Sequence, residues 1–191
     1  MKSEIAAALA AGWTRSDLYW ESLQEEANAT CRQGLRLRPA VCILLAGALA
    51  VVRFPASDLR RVTSAANVAH VLREAGLGTA SRRAYRRAYV RWAGLTAGIE
   101  DISIKPRARS SLFHLRMEAL HWESYKMNRM KRLHRFMQET SECLGCLVKG
   151  HAAPHRLYER WKGEKLPIYD DTRKILSACL LVIATQRNGD K

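Results

Sequence analysis

Residues 81–92 run Ser81, Arg82, Arg83, Ala84, Tyr85, Arg86, Arg87, Ala88, Tyr89, Val90, Arg91, Trp92, just after a turn punctuated by Gly76 and Gly78. At about 100° per residue, Arg82, Arg83, Arg86, Arg87 and Arg91 sweep one half of a helix, while Ala84, Tyr85, Ala88, Tyr89 and Trp92 gather on the other. One half suits phosphate and the other suits a core. The same helical reading extends to most of the chain, because Ala, Leu and Arg dominate and no run of alternating β-branched residues occurs. The expected fold is all-α, a multi-helix bundle.

Helices are expected from about Ser3 to Leu35 with a break near Gly12, and over Pro39–Arg53, Ser57–Ala75, Thr79–Leu95, Ser110–Lys149, Pro154–Lys162 and Asp171–Gln186. Pro39 suits a first turn, Ser57 with Asp58 suits a cap, and so does Asp170 or Asp171. Only Ile99 to Lys105 reads as extended. Lys105, Pro106, Arg107, Ala108, Arg109, Ser110 and Ser111 form a basic, proline-bearing linker that divides a helical domain over residues 1–105 from a C-terminal helical region over residues 106–191.

With 191 residues, 48% of them hydrophobic and 26% charged, the chain has material for one good core or two small ones. The apolar run Pro39 to Val52 is closed by Arg53 and is too short to span a bilayer, so it reads as a buried helix. The N-terminal apolar stretch is short and carries Glu4 where a leader wants positive charge. The five cysteines are odd in number, and two sit in apolar helical runs, which argues for free thiols and a cytoplasmic location. No membrane partner is expected.

Charge is concentrated. Between Ala80 and Arg135 fourteen Lys or Arg face four acids, a net of +10 out of the chain's +14. Such a field repels itself, so a polyanion is its natural partner. Residues 57–95 have the layout of a helix-turn-helix: a helix ending near Ala75, a glycine turn, then arginines at the start of the second helix. Arg82, Arg83, Arg86, Arg87 and Arg91 are the candidate contacts to bases or phosphates, with an αα-hairpin bearing an arginine-rich outer face as the alternative. Arg107 and Arg109 in the linker add to the set. On the long helix Lys126, Arg129, Arg132 and Arg135 are expected outward as phosphate contacts, with Met130, Leu133, Phe136 and Met137 turned inward.

Cys143, Cys146, His151 and His155 have the spacing Cys-x2-Cys-x4-His-x3-His, which offers zinc four sulfur and nitrogen donors. The first three, with Gly150 before the histidine, resemble the retroviral-type zinc knuckle. His155 stands one residue early, where that module has cysteine. The competing reading makes both cysteines buried apolar groups on a helical stripe with Phe136, Met137, Leu144 and Leu147, and Gly150 a helix stop.

No Gly-rich phosphate loop, His-Glu-x-x-His pair or Gly-x-Ser-x-Gly elbow occurs, and no catalysis is expected. The run Arg73, Glu74, Ala75, Gly76, Leu77 through Ser81 and Arg82 to Tyr85, Arg86 and Arg87 resembles the helix-turn-helix segment of FlhC-type transcriptional activators, the flagellar master-regulator family. Ser110, Ser111, Leu112, Phe113 and the approach from Arg135 and Phe136 to Cys143 and Cys146 follow in the same order as pieces of that family. The resemblance implies DNA binding, a helical fold, a structural zinc and a partner subunit. This chain has one cysteine pair followed by histidines where that family has two pairs. The expected function is a DNA-binding transcription regulator. RNA in a ribonucleoprotein particle is the first alternative, and docking on an acidic protein the second. A protein partner or a second copy is compatible with each.

Overall fold

Four glycines with φ between +79° and +86°, Gly12, Gly34, Gly76 and Gly150, mark where helices stop. The fold was obtained as a computed structural model; it describes residues 2–97, 99, 112–151, 169, 171–179 and 181–182, with side chains from 4–97, 99, 129–151, 169, 172–179 and 181–182. Seven helices are described: α1 (Lys2–Ala10), α2 (Arg15–Arg32), α3 (Leu37–Arg53), α4 (Leu59–Glu74), α5 (Gly78–Thr96), α6 (Leu112–Val148) and α7 (Asp171–Ala178). No strand occurs among the described residues, so the all-α expectation holds. The extended reading of 99–105 and the expected helix 154–162 fall almost wholly outside the described residues; Ile99 itself lies in a 3₁₀ turn.

Local chemistry explains the starts. Thr14 caps α2 in a closed box: its hydroxyl accepts from the Asp17 N–H at 3.2 Å, and Asp17 Oδ2 accepts from the Thr14 N–H at 2.7 Å. Asp58, as expected, caps α4 by accepting from the Arg60 N–H at 2.9 Å. The α3 helix begins at Leu37, two residues ahead of Pro39, because a proline in the third helical position still gives up only an N–H that lacks an intrahelical acceptor.

Two cores flank α4. The larger gathers Leu59, Val62, Ala66 and Ala69 of α4 with Tyr85, Ala88 and Trp92 of α5, and with side chains from both α6 and α7 such as Leu133, Leu144 and Leu176. Residues from both sides of the expected boundary at 105/106 therefore share one core. The smaller core joins Trp20, Leu23 and Ala27 of α2 to Cys42, Ile43 and Ala46 of α3, with Val68 and Val71 of α4 packed on it. Gly47 lets α3 approach α4 closely, since a Cβ there would stand 3.1 Å from Val68 Cγ2.

A buried cation ties the N-terminal ends together. Arg60, 4% exposed, pairs with Asp17 and with Asp58 at 2.6 Å, and its guanidinium lies 3.7 Å from the Phe54 ring centre. Burial raises the Asp17 pKa, but the Thr14 N–H and hydroxyl and the Arg60 guanidinium outweigh it and hold it below the usual carboxylate value.

Two expectations are corrected. The last helix ends at Ala178 and does not run to Gln186 as a single element. Side chains distant in sequence take over its backbone: the Ala178 carbonyl accepts from Thr63 Oγ1, the Cys179 carbonyl from Thr140 Oγ1 at 3.3 Å, and the Val182 N–H donates to Asn67 Oδ1 at 3.0 Å. The stretch 39–52 is also not a fully buried helix. Only the face of Pro39, Cys42, Ile43, Ala46 and Ala50 is covered, because α2 and α4 pack on the same side.

Candidate nucleic-acid interface

The turn between α4 and α5 is three residues long, Ala75, Gly76 and Leu77. Gly76, at φ +80°, lets the Leu77 N–H reach the Leu72 carbonyl at 2.9 Å and its own N–H reach the Arg73 carbonyl at 2.9 Å. That paired closure needs a left-handed residue at its centre, which glycine supplies without Cβ strain.

Two hydrogen bonds then fix how α5 runs. Near the turn the Ser81 hydroxyl donates to the Ala69 carbonyl at 2.7 Å, and far from it the Arg91 guanidinium donates to the Ala56 carbonyl. At about 1.5 Å rise per residue, a right-angled crossing would part the far ends by roughly 30 Å, far beyond an arginine side chain. The two helices therefore lie antiparallel, side by side. This is the αα-hairpin alternative, and it replaces the open helix-turn-helix crossing expected from the glycine turn.

On α5 the buried positions are Ser81, Tyr85, Ala88 and Trp92. Arg82, Arg83, Arg86, Arg87 and Arg91 are exposed, as the helical projection requires. Tyr85 and Trp92, each 1% exposed, are core residues and not stacking platforms. Tyr89 differs from them. It is 37% exposed and lies against α6, where a Cβ on Gly145 would meet its ring edge at 3.7 Å.

The α5 helix contains no acid, and none of the ion pairs among the described residues involves Arg82, Arg83, Arg86 or Arg87. The Leu77 N-cap provides no side-chain hydrogen bond, and Gly78, Thr79 and Ala80 are exposed. The positive end of the helix dipole therefore adds to the guanidinium field. What results is a cationic ridge of four arginines without an ion pair among the described residues, with Arg91 anchored at its end by Ala56.

The second cluster divides. Arg132 and Arg135 are exposed, and Arg135 reaches Glu139 at 3.3 Å. Arg129 is not outward as expected: it is 7% exposed, because 129, 133, 136, 140 and 143 fall on one seam of α6 whose other members are buried. The four-residue step from Arg129 to Leu133 carried that signal in the sequence. Lys126 has its side chain outside the described residues, and Arg107 and Arg109 lie outside them altogether.

The metal candidates take different environments. Cys143 is 0% exposed in the larger core, Cys146 is half-buried, and His151 is exposed; His155 lies outside the described residues. The helix passes through both cysteines and stops at Gly150, φ +83°, with the His151 N–H on the Cys146 carbonyl at 2.9 Å. Among the described residues no group of three or more His, Cys, Asp or Glu gathers as a metal site. All five cysteines are free thiols, and burial pushes Cys179 up to about 12.

The apolar outer face of α3 is the feature that reading the sequence missed. Among the described residues no helix is long and apolar enough to cross a membrane. No protein-family model, curated protein or solved structure matches the chain.

Proposed function

We propose that the protein binds nucleic acid, double-stranded DNA in preference to RNA, through the α5 ridge, and that it acts as a regulator by binding and not by chemistry. The observation that carries the reading is that Arg82, Arg83, Arg86 and Arg87 are exposed on a helix without a single acid, and that none takes part in an ion pair among the described residues. A protein that used these cations for its own stability would pair them, as it pairs Arg60.

Mechanistically the ridge neutralises phosphates and releases their counterions. Each phosphate so neutralised adds about −0.9 to the slope of log K against log salt, so four give about −3.6 on duplex DNA. Between 50 and 200 mM salt that is on the order of a 100-fold loss of affinity. The test is a filter-binding titration on duplex DNA, single strands and RNA across that range. The variant changes Arg82, Arg83, Arg86 and Arg87 together to Gln; all four are exposed, so the fold stands. Wild type is expected to bind with the steep slope and the variant to lose most of it. Salt-independent binding, or an unchanged slope in the variant, overturns the reading; tighter binding to RNA redirects it to the ribonucleoprotein alternative.

A further inference from the structure

The side of α3 turned away from α2 and α4 is an apolar stripe that no described residue covers. Leu37 is 81% exposed, Val41 48%, Leu44 51% and Val51 62%, and Ala48 is exposed between them. Those five positions follow one another at intervals of four, three, four and three residues, the spacing of a coiled-coil seam. Leu45 and Val52, 48% and 75% exposed, widen the stripe on one flank. Seams of this period are made to receive another helix at about 20° with interlocking side chains.

We propose that a second copy of this chain covers this face, joining two molecules in a two-fold dimer through α3. Area is the first argument. From the exposures above, the stripe presents on the order of 700 Å² of apolar surface, more than the largest patch of an ordinary monomer and close to the roughly 800 Å² that each partner gives a stable interface. Self-complementarity is the second. A two-fold axis crossing between Leu44 and Leu45 sets Leu37 against the other copy's Val52, Val41 against its Ala48 and Leu44 against its Leu45, apolar on apolar through the centre, with Val51 against the other copy's Arg38 toward the end. Residues 39–52 contain no charged side chain, so the central part of the stripe has no charge with which to select a dissimilar partner. Charges occur toward its ends, where Arg36 of one copy falls near Arg53 of the other and Arg38, paired with Glu26 of its own chain at 2.6 Å, borders the stripe.

The end charges set a signature. Like charges at the rim are screened by salt, so the dimer tightens as salt rises, whereas phosphate binding weakens. The proposal stands independently of the nucleic-acid reading and is tested apart from it.

The experiment is sedimentation equilibrium from 1 to 100 µM at 50 and 300 mM salt. The wild type is expected at twice the chain mass of 21.6 kDa. The variant Leu44→Glu with Leu45→Glu, both exposed positions, is expected to weaken the dimer at least 100-fold while its helical circular dichroism is unchanged. The quadruple Gln variant of α5 is expected to dimerise as wild type does, so failure of either proposal is visible by itself. A wild type that stays monomeric at 100 µM, or a Glu pair that leaves the dimer intact, overturns the proposal. So does a monomer that floats with anionic vesicles through this face, which would make the occupant a lipid surface.

Discussion

Lowering the pH from 7.5 toward 5 should destabilise the fold through His70. His70 is 5% exposed on the turn-side half of α4, and its Nδ1 stands 3.3 Å from the Arg73 guanidinium. Burial first, and the Arg73 charge second, lower its pKa from 6.5 to about 4. In the unfolded chain the imidazole takes its proton near pH 6.5. Between those two values the unfolded state binds more protons than the folded one, so stability is full above pH 6.5 and is lost as pH falls toward 4. The full difference is worth about 3 kcal/mol, and about 2 kcal/mol of it is gone by pH 5. For a chain of this size that lowers the melting temperature by roughly 4–8 °C. The assay is thermal or urea unfolding at pH 7.5, 6 and 5 for wild type and for His70→Asn. The variant should start less stable yet lose little across that window. A wild-type melting point that is flat from pH 7.5 to 5, or a variant with the same slope, refutes the account. Asp17, held below its usual value, yields its stabilisation only at more acidic pH, so the two groups separate along the axis.

Further outcomes follow from single positions. Gly76→Ala meets no atom within 4 Å, so its whole cost is the left-handed backbone, about 1–2 kcal/mol by urea unfolding; a neutral result removes the turn geometry argued for the hairpin. Cys143→Ser buries a hydroxyl in the larger core and should cost about 1–3 kcal/mol, while Cys146→Ser, half-buried, should cost well under 1 kcal/mol. Equal losses for the two, accompanied by release of one zinc per chain, would support the metal reading of this segment.

Legibility in the sequence followed the phase of the pattern. Where apolar and charged residues alternate around a helix, as on α5, the sequence announced both the element and the side that packs: Tyr85 and Trp92 in, Arg82 to Arg91 out. Glycine and capping signals placed most ends to within two residues, because Gly12, Gly34, Gly76 and Gly150 each impose a local backbone state. On α3 the residues are apolar all round, so the pattern has no phase and cannot tell a half-covered helix from a buried one. The end of α7 was illegible for another reason. It is set by Thr63, Asn67 and Thr140, which lie far away in sequence, and the same holds for Arg60, whose burial depends on Asp17 from another helix. The antiparallel run of α4 and α5 rests on Arg91 reaching Ala56, a contact that no spacing in the sequence encodes.

The energetics of α5 bear on the proposal that its charges serve binding. Four like-charged pairs sit three or four residues apart, Arg82 with Arg86, Arg83 with Arg86 and Arg87, and Arg87 with Arg91, and together they cost about 1–2 kcal/mol. The Trp92 Nε1 and the Tyr85 hydroxyl, buried with no hydrogen-bond partner among the described residues, add about 1–3 kcal/mol each. Against these stand Tyr85 and Trp92, whose burial contributes an upper bound of about 8–12 kcal/mol. The inner stripe therefore holds the helix together despite its outer face, and each guanidinium is left with an electrostatic cost that folding does not relieve. On the proposed reading a polyanion laid along the ridge would remove that cost, which gives an acid-free arginine helix a physical reason to persist on this hairpin.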